Sequence, residues 1–533
     1  MKKVISCLLV CILLVTMCFT GCKKEEKVEI EGVQIALSDN EITVDGEKIT
    51  KDNTQAVYSA NDIVFYLAGQ DFTYGEGDEK DGHEQADADA HTVVHITKPG
   101  RYVLSGELSA GQVAVDLGEE AETDPEAVVT LILNDVDITC TVAPAIIFYN
   151  VYECGVADEE TATKDVDTSK AGANVIIADG TENNIDGSHV AKIYKSYELS
   201  EDGTEVIDSK KLHKYDAAFY SKKTMNVTGG EKGDGILNIT ADNEGLDSEL
   251  HLTINGGNIN IISGNDGINT NEDNVSVTTI NGGNLNINVT GSTGEGDGID
   301  SNGWLVINGG SVTSQACATS GDAGIDSDLG IYINGGTVVA SGNMMDRIAG
   351  GDQTYVVFNF TSSQSGESTY TLKTSAGEVV TSYKPTNAFT YLIVAGDYLT
   401  EGEYSLCKGD TVLSVAQAGQ QMQRPENMEI PEDMTIPEGM EDMTRPDGEK
   451  DMFHKGERPE MPEDMTPPEG MENMTPPENM EDFTMPEGME DMRPQDGMQG
   501  GRGPMNGMAD TENLTTTFTV TKGGNQITVV TEN

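Results

Sequence analysis

The 533-residue sequence is poor in aromatic residues, which make up 5% of it, and has a single tryptophan. It is also poor in positive charge, with 32 Lys and Arg against 91 Asp and Glu, a formal net charge of −59. Such a surface repels nucleic acid and anionic lipid and attracts multivalent cations. Cysteine is scarce. Cys7, Cys11, Cys18 and Cys22 fall in the first 22 residues, leaving Cys140, Cys154, Cys317 and Cys407. That is too few for a disulfide framework in a chain of this length. Cys140 and Cys154 are close enough in sequence to pair, but buried small hydrophobes are the better expectation. No window shows the 3.6-residue apolar period of an amphipathic helix. After the N-terminus, no run approaches the roughly 20 apolar residues that span a bilayer.

Glycine is what the sequence has in quantity, 60 residues of it. The N-terminus pairs Lys2 and Lys3 with an apolar run from Val4 to Met17, the pattern of a secretory signal. The run ends in Phe19-Thr20-Gly21-Cys22, which looks like a bacterial lipobox despite Phe19 in place of the usual Leu. Residues 1–22 are therefore predicted to be a lipoprotein signal peptide with Cys22 lipidated, tethering the protein to the outer face of the cell membrane. An ordinary cleaved signal is the alternative.

Ile-Asn-Gly-Gly begins at Ile254, Ile280, Ile307 and Ile333, and Val227-Thr228-Gly229-Gly230 is a weaker upstream copy. A fixed period of 26 to 27 residues marks a solenoid or array. Within each period short alternating strands are broken by Gly-Gly or Asn-Gly, as in Leu252 and Ile254 followed by Ile259 and Ile261. Stacked strands place equivalent residues about 4.8 Å apart, so Phe219, Leu246, Ile268, Ile299 and Ile325 are predicted to form one interior column. The predicted fold is all-β: a right-handed parallel β-helix over 88–345, after a linker and cap over 23–87.

Residues 350–420 carry strand-like runs without the repeat and are expected to form a small β-sandwich, completed by 512–533. Between them, 421–511 holds 17 of the 22 methionines in an acidic, Pro-rich unit close to Pro-Glu-Gly-Met-Glu-Asp-Met-Thr. Without apolar periodicity it is predicted to be a disordered insert. Its Met-x-x-Met pairs, such as Met440 and Met443, suit Cu(I) or oxidant scavenging; a solvated spacer is the plainer reading.

Residues 97–116 (TKPGRYVLSGELSAGQVAVD), 129–139 (VTLILNDVDIT) and 216–230 (DAAFYSKKTMNVTGG), followed by EGLDS, DGINT and DGIDS ahead of Gly-Gly strands, resemble one family in their order. These are bacterial surface carbohydrate-binding proteins with a polysaccharide-lyase-like β-helix, described as binding cellulose and acidic sugars. The resemblance covers about 30–420. It implies a right-handed parallel β-helix, bound calcium, polysaccharide recognition and no established catalysis.

The repeat also aligns acids. Seven residues before each Ile-Asn-Gly-Gly stand Asp247, Asp300 and Asp326, with Asn269 in the coil whose turn is longer. Three residues earlier come Glu244, Asp266 and Asp297, then Ala323 with Asp322 beside it. Two unit charges about 5 Å apart repel by about 3 kcal/mol at an effective dielectric near 20. Such a column invites protons or a hard cation, and carboxylates with turn carbonyls suit Ca²⁺. Turn geometry alone also explains Asp and Asn there. For sugar, alternation turns Trp304 outward, in a column with His251, Val277 and Gly330; Tyr220 takes the Asp247 position one coil earlier. Trp304, Tyr220 and His251 are the candidate sugar contacts, although packing under a loop accounts for Trp304 equally well. His83, Asp87, Asp89 and His91 form a metal-like string within the expected linker.

A β-helix lyase pairs Ca²⁺ with a Lys or Arg near the sugar, yet no Lys or Arg lies between Gly233 and Asp346. Lys222 and Lys223 lie one coil away and could reach, as could a residue from a distant loop. Non-catalytic polysaccharide binding is the leading expectation for a monomer that binds no nucleic acid. The alternatives are a calcium-dependent lyase and an adhesive surface protein with a metal-handling Met-rich segment. Neither cellulose nor polygalacturonate is singled out.

Overall fold

The computed structural model describes residues 30–417 and 514–531. The expected signal, Cys22 and the Met-rich insert lie outside them. Among the described residues the chain is all-β, interrupted by a one-turn helix at Gln85–Asp89 and a 3₁₀ turn at Glu119–Thr123.

Parallel strand pairing at the period of the repeat organises the middle of the chain. In one ladder Met225–Gly229, His251–Ile254, Val277–Ile280, Trp304–Ile307 and Gly330–Ile333 pair in sequence order. Val227, Ile254, Ile280, Ile307 and Ile333 stand directly over one another and are fully buried. A second row, from Glu182–Gly187 through Ile236–Ala241, Asn258–Ser263, Asn284–Val289 and Ser311–Gln315 to Thr337–Gly342, pairs likewise. A separate sheet stacks Thr92–Ile96, Gly111–Val115, Ile146–Phe148, Ala217–Ser221, Glu244–Ser248 and Ile268–Thr270 in parallel. It continues through a bridge from Ile268 to Ile299. Phe219, Leu246, Ile268, Ile299 and Ile325 are all fully buried, as a single interior column requires.

The Ile-Asn-Gly-Gly turn shows why those residues recur. Gly283, Gly310 and Gly336 have φ of 89°, 80° and 80°. A Cβ on each would meet the carbonyl oxygen of the preceding turn's glycine at 2.6–2.7 Å. Only glycine takes that backbone at that distance. The asparagines answer one another across the same turns: Asn281 donates to Asn255 at 2.8 Å, Asn308 to Asn281 at 2.9 Å and Asn334 to Asn308 at 2.8 Å. Each side-chain amide thereby satisfies its neighbour.

Both ends of the ladders are closed by other strands, which removes the open edges that parallel stacks otherwise present. Val33–Leu37 pairs in parallel with Gly100–Leu108, and Val57–Ala60 runs antiparallel to Thr92–Ile96. The segment expected as linker and cap thus contributes four short strands, Val33–Leu37, Thr43–Val44, Glu47–Lys48 and Val57–Ala60. At the other end Thr337–Gly342 pairs antiparallel with Phe389–Ala395, which pairs with Tyr355–Gln364. Gly524–Val530 joins Tyr355–Gln364, and Phe518–Val520 joins Gly402–Lys408 in a facing sheet. Between these sheets Phe358, Tyr370, Phe389 and Phe518 make a second core.

Two insertions leave the ladders. One is the hairpin Val190–Leu199/Val206–Tyr215. The other is residues 149–172, which carry no strand or helix. Cys140, Cys154, Cys317 and Cys407 are all free thiols.

Leu246→Ala is expected to cost about 2–5 kcal/mol in denaturant unfolding, because its column holds the cavity open. Asn286→Ala, on an exposed amide ladder, should cost under about 1 kcal/mol. Equal losses at the two sites would contradict this division between core and surface.

Candidate functional site

The acids of the repeat stack as their spacing requires. Asp247 stands beside Asn269, and Tyr220 beside Asp247. The Asp300 amide donates to the Ile268 carbonyl at 2.8 Å, and the Asp326 amide to the Ile299 carbonyl at 2.7 Å. Glu244, Asp266 and Asp297 follow one another because Gly245 donates to the Asp266 carbonyl and Gly267 to the Asp297 carbonyl, each at 3.0 Å. Small glycines beside each acid let the backbones approach this closely. Asp322 Oδ2 accepts from the Gly296 amide, next to Asp297, at 2.6 Å and from the Ser320 hydroxyl.

Burial and mutual repulsion favour protonation along the whole ladder. Desolvation, with neighbouring acids second, holds Glu244, Asp247 and Asp297 well above the usual carboxylate range. The same causes lift Asp300 and Asp326 to about 7. Burial lifts Asp266 to about 7 against an opposing hydrogen bond from the Asp297 amide. Some oxygens have no proton donor. Glu244 Oε2, Asn269 Oδ1 and Asp346 Oδ2 are buried without a hydrogen-bond partner. Asn269 donates its other end to Glu244 Oε1 at 3.2 Å.

The two ends of the ladder differ in counter-charge. At the Glu244 end the hairpin brings Lys214 within 2.8 Å of the buried Asp216, and Lys211 within 3.1 Å of Glu249. Asp216, Glu244 and Asp247 in turn hold the Lys214 ammonium well above its ordinary pKa, against the pull of desolvation. Lys222 and Lys223, one coil upstream of the ladder, instead meet Glu122 at 3.7 and 2.9 Å. At the far end Asp300, Asp326 and Asp328 face Asp346, with Arg347 next in sequence. Sequence reasoning missed Lys214, Asp216, Glu249 and Asp346. Glu249, Asn271, Asn302 and Asp328 do share a register two residues beyond the Asp247 column, a signal present in the repeat. The hairpin's return to the ladder had no such signal.

The carboxylates line up without converging: among the described residues no three His, Cys, Asp or Glu side chains gather as a metal cluster. The string at His83, Asp87, Asp89 and His91 serves packing at its buried end. His91 Nδ1 donates to the Asp87 carbonyl at 2.7 Å while Nε2 accepts from the Thr141 amide at 3.2 Å.

The three candidate sugar contacts separate. Tyr220 is 1% exposed; its ring packs against Tyr215 of the hairpin and its hydroxyl donates to Glu249. His251 is 2% exposed, accepts the Val277 amide at 3.1 Å on Nδ1, and is pushed by burial to a pKa of about 4. Neither ring offers a face to a ligand. Both point away from the interior column, as alternation requires, but the hairpin and the 149–172 segment cover them. Trp304 is half-buried, beside Val277 and Gly330 in register.

Stacked parallel strands, a file of buried acids and an outward tryptophan define an all-β, repeat-built class of protein. The model of the family described as carbohydrate-binding domain-containing protein matches residues 90–400, more than half of the chain. This chain belongs to that family. A carbohydrate-binding domain-containing protein of Acetivibrio thermocellus is 28% identical over 250 residues, 47% of this chain. The chain spans 62% of that relative's length. The polysaccharide lyase-like protein from C. thermocellum, solved as a gadolinium derivative, covers 57% of this chain and 93% of its own at 20% identity. Its TM-score is 0.32, too loose a likeness to carry the fold.

The raised carboxyl pKa values fix a sign for stability. The folded chain keeps protons on Asp266, Asp300 and Asp326 up to about pH 7, whereas the unfolded chain releases them near 3.8. Their stabilisation is complete below about pH 4 and is lost as pH rises to 7, at most about 1.4 kcal/mol per group per unit. In chelator the melting temperature should therefore fall between pH 5 and 7.5, with a shallower slope in Asp300→Asn. A slope unchanged by that substitution would contradict the assignment.

Proposed function

We propose that this protein binds polysaccharide at a bacterial cell surface without transforming it, on a right-handed parallel β-helix whose acidic ladder holds Ca²⁺. Membership of the carbohydrate-binding family supports a polysaccharide partner. The two parallel ladders, in register over successive repeats, support the solenoid. The observation that carries the cation is the set of orphaned oxygens: Glu244 Oε2, Asn269 Oδ1 and Asp346 Oδ2 are buried acceptors with no donor. A buried acceptor left unmet costs about 1–3 kcal/mol, more if charged.

Ca²⁺ accepts six to eight oxygens in loose geometry. Glu244, Asp247 and Asn269 would supply one such set, and Asp300, Asp326 and Asp346 another. Main-chain carbonyls and water would complete each, since the side chains do not close on one point. Bound calcium would remove the mutual repulsion of the ladder and fix the turns beside it. Lipid on Cys22 would keep the domain at the outer face of the membrane, as a monomer.

The lyase alternative needs a base to take the proton next to a uronate carboxylate. Lys214 reaches the ladder, but Asp216, Glu244 and Asp247 keep it an ammonium. It serves better as a fixed counter-charge than as a base.

Residues 23–533 should be retained on cellulose or polygalacturonate in Ca²⁺, with retention reduced at least several-fold by chelator and no ultraviolet-absorbing unsaturated product formed. Retention on neither polymer would overturn the reading, and accumulation of unsaturated product would replace it with the lyase.

A further inference from the structure

Residues 149–172 run between strands Ile146–Phe148 and Ala173–Ile177 with no regular structure. Structureless connections of this length inside a compact fold are uncommon and usually functional. This one lies along the face of the ladder. The register Asn174, Asn226, Thr253, Thr279, Val306, Tyr332 defines one outward column. Near its start, Asn226 donates to the Thr168 carbonyl and Thr168 Oγ1 to Thr253 Oγ1, both at 2.8 Å. Gly155 lies so close to His251 that a Cβ there would sit 2.7 Å from the imidazole. Lys164 reaches the column's other end, its Nζ 5.2 Å from the centre of the Tyr332 ring. Four rungs separate Asn226 from Tyr332, about 19 Å at the usual strand spacing. The outward-facing Thr253 and Val306 are each only 5% exposed along this path.

Trp304 and Tyr332 stand on this face one rung and two residues apart, both half-buried. Gly330, the next residue in the Trp304 column, carries no side chain, and Ala349 packs close against it, 2.6 Å from where a Cβ would stand. Two aromatic rings on one sheet face offer stacking to the C–H faces of consecutive pyranoses. Lys164 holds the place above Tyr332 that a sugar would take. Little else holds that part of the loop. Among the described residues, no hydrogen bond or ion pair from 156–166 reaches beyond the loop itself. The loop is also acidic, with Asp158, Glu159, Glu160 and Asp165, on a chain of net charge −59.

We propose that Trp304 and Tyr332 form a binding platform for a neutral β-linked glucan, and that residues 156–166 are a strap closed over it by Lys164. This rests on the polysaccharide-binding reading and adds the place, the glycan class and the gate. Glucan and strap compete for the same face, so a variant that loosens the strap binds more tightly.

Trp304 is the only tryptophan of the chain, so its emission reports on this face alone. The test uses residues 23–533 titrated with cellohexaose, with acrylamide quenching measured in parallel and circular dichroism confirming the fold of each variant. Cellohexaose is expected to shift and protect Trp304 emission. Lys164→Ala should increase acrylamide quenching and lower the half-saturating cellohexaose concentration by about two- to five-fold, the scale of one exposed cation–π contact. Tyr332→Ala should also increase quenching but weaken cellohexaose binding, an opposition that a merely structural role would not produce. Polymer retention with Trp304 emission unmoved by cellohexaose would overturn the platform and leave the polysaccharide-binding reading standing. Absence of both retention and emission change would overturn both. Quenching unchanged in Lys164→Ala would overturn the strap.

Discussion

Parallel pairing at a fixed register is the constraint on which the rest of this protein depends. When each repeat lays its strand beside the same strand of the repeat before, every position meets its own kind about 4.8 Å away. For isoleucine this is favourable without qualification, and the columns through Ile254 and Ile268 are fully buried. For asparagine it is favourable because an amide both donates and accepts, so a column satisfies itself. For glycine it permits turn backbones to touch. For aspartate and glutamate it is unfavourable, because the same geometry that orders the core forces like charges into file.

That conflict is where the chemistry arises. A fold selected only for stability would place Asn or Ser in the column, as Asn269 in fact stands between Asp247 and Asp300. The retained acids store repulsion that protons, Lys214 or a hard cation can relieve. The protein uses the lysine at one end, through the hairpin that returns at Tyr215, and leaves the other end rich in acid. Local departures from consistent patterning mark function more often than error.

Much of this was legible in the sequence because a repeat announces its own register. The Ile-Asn-Gly-Gly period named the interior columns, and counting back from it placed Asp247, Asp300 and Asp326 in file. What a period cannot place is a segment that leaves it. The hairpin 190–215 and the loop 149–172 have no counterpart in neighbouring repeats. Alternation correctly turned Tyr220 and His251 away from the interior, yet those insertions cover both rings. The same insertions supply Lys214 to the acids and Lys164 to Tyr332. Asp322 sits where the repeat breaks, and its carboxylate accepts from the Gly296 amide of the preceding coil as well as from Ser320 in its own turn. The closure of the last rung by Phe389–Ala395 was equally illegible, since pairing between unlike segments leaves no spacing to count.

Uptake of a cation by the stacked acids is the property on which the proposed function depends. Calorimetric titration of Ca²⁺ into chelator-stripped protein at pH 7.5 tests this most directly. Saturable binding of at least one Ca²⁺ per chain, weakened at least about ten-fold in Asp300→Asn or in Glu244→Gln, is the result the account requires; ten-fold corresponds to about 1.4 kcal/mol. No saturable binding, or binding unaffected by both substitutions, would contradict it and leave protons and Lys214 to relieve the ladder.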